Sequence, residues 1–176
     1  MEEEIEELVQ NVPKPAGYLM PKGATRREIK LFEKRTRFVI PVDVRRWLGR
    51  YNGTLLCSGG TYGINTGNDR LEIENHLSFY TNWGARGWLP VASDGCGNHY
   101  VVDLGSSLRG HPVYFVETVM DEDKAAYVVG SNIWQFFRFL LMRAVGAGGW
   151  PFNKQFVLDL DPNLEMCETA SLPWNV

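Results

Sequence analysis

The segment that most constrains the fold is residues 54–129, in which short runs of β-branched and aromatic residues alternate with clusters of Gly, Asn, Asp and Ser. Runs of this kind are typical of strands, and such clusters are typical of turns. The connections are shorter than the crossover that a parallel pair needs, so they favour antiparallel hairpins. The predicted strands are residues 54–64, 70–80, 89–93, 99–104, 112–119 and 125–129.

Two helices are predicted before this segment. Thr25 and Glu28 have the spacing of a capping box, which indicates a helix running to about residue 35. Pro41 suits a first helical turn, and the residues after it form one apolar stripe on a helix that ends at Asn52 and Gly53. The stripe consists of Val44, Trp47, Leu48 and Tyr51.

A third helix is predicted from Asn132, because Gln135 follows at capping distance and residues 133–141 are apolar nearly all round. We expect this helix to be buried. Residues 2–10 predict a short amphipathic helix, and residues 155–160 carry a weaker strand pattern. The fold class predicted is α+β, a predominantly antiparallel meandering sheet of about five to six strands flanked by N-terminal helices and one buried C-terminal helix.

The chain has the length of one domain, at 176 residues. Its hydrophobic and charged fractions, 44% and 22%, exclude disordered, collagen-like and coiled-coil classes for the chain as a whole. We expect one domain over residues 1–176. Aromatic residues in the segment 150–176 predict that this segment docks on the body as a C-terminal extension.

Charge is distributed unevenly along the chain, although the formal net charge is only -3. Residues 1–10 carry five Glu and no base, and residues 22–50 carry ten of the 18 Lys and Arg against three acids. Residues 51–176 carry 13 acids and 7 bases. The acidic balance disfavours non-specific binding to nucleic acid or to an anionic membrane. The Arg-rich stretch 26–50 is compatible with phosphate binding, but exposed helices more often carry such charges as a solvated face.

The cysteines indicate a reducing compartment. Cys57, Cys96 and Cys167 are odd in number and widely spaced, and no C-x-x-C motif is present. The Glu-rich start does not resemble a secretory signal, and the longest apolar stretch is far shorter than a bilayer span. We therefore expect a cytoplasmic protein with free thiols.

Enzymatic motifs are weak. Cys96, His99 and Asp103 allow a Cys/His/Asp hydrolase as an alternative, but the first two flank a tight turn and need not face each other. Asp94, Asn98 and Asp103 offer oxygen ligands to a metal, whereas the intervening glycines favour an ordinary hairpin turn.

Two acidic groups lie in the predicted sheet region. Glu72 and Glu74 have the spacing of one face of a strand, and Asp121, Glu122 and Asp123 lie between two predicted strands. The ordinary interpretation of both groups is a solvated surface. Paired carboxylates also occur in glycosidases, but no local feature of this sequence holds these carboxylates in a cleft.

The order of one set of residues along the chain resembles the motif pattern of a known family. The set comprises Glu33, Pro41, Trp47, Asn52, Gly53, Trp88, Asp94, Gly95, Gly97, Asn98, Tyr100 and Asp103. With the helix over residues 131–141, this order resembles the SUKH superfamily (Smi/Knr-like). The resemblance covers about residues 25–143, which we take as the core, and residues 150–176 look like the C-terminal extension of bacterial members.

The resemblance implies a non-catalytic α+β domain in which these residues are mainly structural. Most bacterial members resemble cytoplasmic immunity proteins that bind a cognate polymorphic or contact-dependent toxin, often a nuclease, and block it. Others are regulatory scaffolds, which is the alternative. No cofactor, metal, nucleic acid, membrane or small-molecule substrate is expected. Because acidic groups attract the basic substrate sites of nucleases, Glu72, Glu74, Asp121, Glu122 and Asp123 are the predicted partner-binding residues.

Overall fold

The computed structural model describes residues 1–14, 20–55, 59–106, 110–167 and 171–176. These residues form an α+β fold in which eight α-helices surround one antiparallel sheet of four strands. None of the helices in these ranges is both long enough and apolar enough to cross a membrane.

The three helices at the start of the chain are α1 (Glu2–Asn11), α2 (Arg26–Thr36) and α3 (Val42–Tyr51). The predicted capping box is present, since the Thr25 hydroxyl accepts the Glu28 N–H and the Glu28 carboxylate accepts the Thr25 N–H. The predicted stripe of α3 is entirely buried. The sequence predictions for these helices are confirmed.

The sheet consists of β1 (Trp88–Ser93), β2 (His99–Asp103), β3 (Val113–Val116) and β4 (Ala125–Gly130), paired antiparallel in sequence order. The β2–β3 register pairs Tyr100 with Phe115, and the β3–β4 register pairs Phe115 with Tyr127. These aromatic residues form a row on one sheet face. The helix that follows, α7 (Ile133–Ala144), is capped by Asn132 and is buried along most of its length, as predicted.

The prediction of five to six strands was too high, and residues 70–80 are the main error. They form a turn and α4 (Ile73–Phe79), which is followed directly by α5 (Thr81–Arg86). The apolar residues of this segment fit a period of two, but Ile73, Leu77 and Tyr80 also fit helical spacing. Ile73 is completely buried, and Leu77 and Tyr80 pack partly buried against the core.

Residues 54–64 were also predicted as a strand, and within this range residues 56–58 lie outside the described residues. The described part makes only isolated bridges, Thr61 with Ala92 and Gly63 with Glu72. Positive φ angles at Gly59 (81°) and Gly60 (76°) bend the backbone away from regular strand geometry.

The strand pattern at residues 155–160 was wrong as well, because they form α8 (Lys154–Leu160). The Asn153 side chain accepts the Phe156 N–H at 3.1 Å and caps the helix, while Val157 is buried. One further short helix, α6 (Thr118–Asp121), lies between β3 and β4. It occupies the end of a segment predicted as strand.

The two faces of the sheet are covered differently. Tyr100 packs on Phe136 of α7 and on Trp150, so this face carries α7 and the C-terminal segment. His99, its neighbour in β2, points to the opposite face and contacts Trp83 of α5. Helices α1 and α3 pack on α7, as shown by the edge contact of Trp47 with Phe137 at 5.9 Å.

Candidate functional site

Glu72 is occupied by the turn in front of it. Its carboxylate accepts the backbone N–H groups of Asn65, Thr66 and Gly67, and the Thr66 hydroxyl at 2.6 Å. Four donors on one carboxylate fix the chain between Gly63 and α4. The structure therefore gives Glu72 a local structural role.

Glu74 is engaged by a residue far away in the sequence. Arg35 of α2 donates to it through Nε at 2.8 Å and through Nη2 at 2.6 Å, a bidentate pair. This pair ties α2 to α4, and it neutralises the charge that a partner would otherwise meet.

The acidic triplet is divided between structural and free groups. Asp123 accepts Asn82 Nδ2 at 2.8 Å and lies 3.6 Å from Arg86 Nε, both on α5. The backbone carbonyl of Glu122 accepts the indole N–H of Trp83 at 2.8 Å. Glu122 itself is exposed to solvent. The Asp121 carboxylate accepts the nearby Asp123 N–H, and the residue remains exposed.

The free acids lie beside an apolar pair. Val119 and Met120 of α6 are 79% and 78% exposed, which is unusual for two adjacent large aliphatic residues. Glu117 precedes them and Asp121 and Glu122 follow, and no described residue pairs with the carboxylates of Glu117 and Glu122. We call Glu117, Val119, Met120, Asp121 and Glu122 the α6 surface.

The α6 surface is held at both ends. The Thr118 hydroxyl donates to the Gly97 carbonyl in the β1–β2 turn at 2.5 Å, and the Glu122 carbonyl is held by Trp83. Trp83 stacks on Tyr80 at 4.2 Å, and Tyr80 contacts Phe79, which is 77% exposed at the end of α4. Because these contacts anchor α6 at both ends, its backbone loses little additional entropy when a partner covers it.

Sequence reasoning identified Asp121 and Glu122 but missed Val119, Met120 and Phe79. Val119 was placed at the end of a strand, and Phe79 was placed inside one. An acidic triplet directly after two aliphatic residues was the available signal, because a buried strand end rarely continues into a run of charges.

The Cys/His/Asp set that the sequence allows as an alternative is not assembled. Both ring nitrogens of His99 are engaged, Nδ1 with the Tyr62 hydroxyl at 2.7 Å and Nε2 with the Tyr80 hydroxyl at 3.1 Å. The Asp103 carboxylate accepts the Gly105 N–H instead. Burial lowers the pKa of His99 to about 4, so its ring is neutral at pH 7. His76 stacks on Tyr62 at 3.9 Å, and burial lowers its pKa too.

This histidine cluster forms the floor of a cleft of about 550 Å³. Arg70, Ser93 and the glycines of the β1–β2 turn line its walls. The Asp94 side chain organises that turn, accepting the N–H groups of Cys96 and Asn98 at 2.7 and 3.1 Å and Asn98 Nδ2 at 2.8 Å. Within the described ranges, no group of His, Cys, Asp or Glu is placed to hold a metal ion.

Several residues of the family-like motif make contacts that explain their spacing. Glu33 accepts the Ile40 N–H at 2.9 Å and Arg45 Nη2 at 2.8 Å, and so joins the end of α2 to the start of α3. Asn52 exchanges two hydrogen bonds with the backbone of Ile64. At Gly53 (φ 67°) a Cβ would lie 2.3 Å from the Thr66 side chain, so only glycine fits.

The remaining motif residues lie around the sheet. Pro41 precedes α3, and Trp47 is completely buried. Trp88 opens β1 and lies under the guanidinium of Arg86 at 5.1 Å. Gly95 and Gly97 have positive φ angles in the β1–β2 turn.

The chain is thus an α+β protein with a four-stranded antiparallel meander. Glu33 links two of its helices, and Asp94 orders a glycine-rich turn between two strands. The family model described as SMI1 / KNR4 family (SUKH-1) matches residues 23–138, well over half of the chain. The chain belongs to this family. A comparison with curated proteins gave no match.

Proposed function

We propose that the protein is an immunity protein that binds a cognate toxin in the cytoplasm and blocks its active site without performing chemistry itself. Membership of the SMI1 / KNR4 family (SUKH-1) supports this proposal. The observation that carries it is the α6 surface, where two exposed aliphatic side chains lie beside the carboxylates of Glu117 and Glu122, which pair with no described residue.

The chemistry of the α6 surface indicates the chemistry of its partner. Val119 and Met120 supply apolar area that becomes favourable only when a second protein covers it. Glu117, Asp121 and Glu122 match a cationic surface, such as the substrate site of a nuclease, and attraction between opposite charges speeds association. Glu72, Glu74 and Asp123 are not part of this proposal, since each is engaged within the chain.

The test uses two double variants that change charge equally. Wild-type protein captures its partner from cells of the source organism, and the partner is then expressed with or without each variant. Asp121→Lys with Glu122→Lys should abolish protection against a toxic partner, because two attractive charges become repulsive. Glu3→Lys with Glu7→Lys, on the exposed face of α1, should protect fully.

Two outcomes would overturn the proposal. A captured partner that is harmless to cells would indicate a regulatory scaffold. Equal protection by both variants would show that a toxin binds elsewhere on the molecule.

A further inference from the structure

The second charged surface of the molecule is basic and lies on α2. Of the ten cations between residues 22 and 50, the structure pairs Arg35 with Glu74, Arg45 with Glu33, Arg46 with Glu2, and Arg50 with Glu2 and Glu6. The acidic start of the chain thus neutralises part of the basic stretch. Six cations have no carboxylate partner within the described ranges: Lys22, Arg26, Arg27, Lys30, Lys34 and Arg37.

Three of the four unpaired cations on α2 share one face. Arg26, Lys30 and Lys34 follow one another at intervals of four residues. Arg37, which ends the helix in a left-handed backbone conformation, extends the row. Ile29 and Phe32 turn inward and are buried, so this row faces solvent. At 1.5 Å of rise per residue, successive cations are about 5–6 Å apart along the axis.

The acids of α2 do not compensate this row. Glu28 is held by Thr25 in the capping box, and Glu33 is held by Ile40 and Arg45. The charge of Glu33 is neutralised by Arg45, and the single charge of Glu28 is outnumbered by the four cations of the row, so this face retains a net positive charge.

Two exposed aliphatic residues adjoin the row. Val39, two residues after Arg37, is 80% exposed, and Val42, the first residue of α3, is 75% exposed. We define the α2 surface as Arg26, Lys30, Lys34, Arg37, Val39 and Val42. Single exposed aliphatic residues are ordinary, but here two of them border four uncompensated cations.

We propose that the α2 surface is a second docking site, which binds an acidic amphipathic segment of a protein. Carboxylates of such a segment would meet the cation row, and its apolar residues would cover the two valines. Nucleic acid fits less well for two reasons. Phosphates make no favourable apolar contact with the valines. Phe38, the aromatic residue between Arg37 and Val39, is buried and cannot stack on a base. The site is opposite in charge to the α6 surface, so the two cannot serve the same partner surface.

The test is an NMR titration of the full chain with three probes. The first is a synthetic peptide of Glu and Leu with Leu at helical spacing, the second is the same peptide with Ser for Leu, and the third is an oligothymidylate of equal charge. The Glu/Leu peptide should shift amide signals of residues 26–42 and bind tighter than either other probe.

Variants separate the two contributions. Lys30→Glu with Lys34→Glu should weaken binding of the Glu/Leu peptide about tenfold. Val39→Ser with Val42→Ser should weaken it severalfold without changing the salt dependence of binding. Lys124→Glu with Arg143→Glu makes the same charge change elsewhere and should have no effect. Equal affinity for the Ser peptide or the oligothymidylate would overturn the proposal, as would shifts that map outside the α2 surface.

Discussion

At the scale of single residues, carboxylates in this chain fall into two groups that the sequence does not distinguish. The carboxylates of Glu33, Glu72 and Asp161 accept hydrogen bonds from backbone N–H groups. Asp161 is completely buried and accepts the N–H and the hydroxyl of Ser131 at 2.7 and 2.6 Å. Glu117 and Glu122 face solvent without a described partner. A carboxylate of the first group stabilises the fold, and one of the second group is available for binding.

Glu33→Ala should destabilise the protein by about 2–3 kcal/mol, because it leaves the Ile40 N–H without its acceptor and removes the ion pair with Arg45. Urea unfolding followed by circular dichroism measures the loss. Glu7→Ala, at an exposed position on α1, should change the free energy of unfolding by less than about 0.5 kcal/mol. Equal values for the two variants would contradict the structural role of Glu33.

His99 predicts a pH dependence of stability. Its pKa is about 4 in the folded protein and about 6.5 in an unfolded chain, so between these values only the unfolded chain binds the proton. Stability should be fully present above pH 6.5 and fall by roughly 3 kcal/mol as the pH drops towards 4.

His99→Gln removes this titration, so its unfolding free energy should fall less steeply over the same pH range. His111→Asn is the matched control, since Asn also accepts the positive φ of that position, and it should keep the wild-type slope. Identical slopes for wild type and His99→Gln would show that His99 titrates normally.

At the scale of elements, the sequence predicted those whose end signals are local. Thr25, Asn132 and the Asn52–Gly53 pair mark the limits of α2, α7 and α3 within a few residues of the positions that they cap. Segment 70–80 carries no such signal, because the side chain of its N-cap residue, Glu72, bonds to residues 65–67 and makes no capping bond to the helix. Its apolar residues fit both a strand and a helix, and only packing of Ile73 against the core decides between them.

The partner-binding residues were only partly predictable for a similar reason. The charge of Glu74 is neutralised by Arg35, 39 positions earlier, and no sequence pattern links the two. The exposure of Phe79 depends on α4 being a helix. Asp121 and Glu122 were identified because a run of acids in a loop needs no tertiary contact to remain in solvent.

Replacing Trp150 tests whether the C-terminal segment docks on the core. Its ring packs on Tyr100, Phe136 and Phe139, and its N–H donates to the Val129 carbonyl at 2.9 Å. Trp150→Ala should therefore cost about 3–5 kcal/mol in unfolding free energy. Phe152→Ala, at a mostly exposed ring two residues later, should cost far less. A small loss for Trp150→Ala would mean that the segment contributes little to the core.

At the scale of the whole molecule, the net charge of -3 conceals a division into surfaces. The Glu-rich α1 pairs with Arg46, Arg50 and Arg138, which removes much of the asymmetry visible in the sequence. What remains is a basic row on α2 and the acidic, apolar α6 surface. We propose that the toxin docks on the α6 surface.

The measurement that tests this most directly is the association rate of the captured toxin, determined by stopped flow at several salt concentrations. Asp121→Lys with Glu122→Lys should slow association about tenfold or more at low salt, with the difference shrinking as salt rises. Glu3→Lys with Glu7→Lys should leave the rate close to that of wild type. Equal rates for all three proteins at low salt would contradict docking of a cationic toxin on the α6 surface.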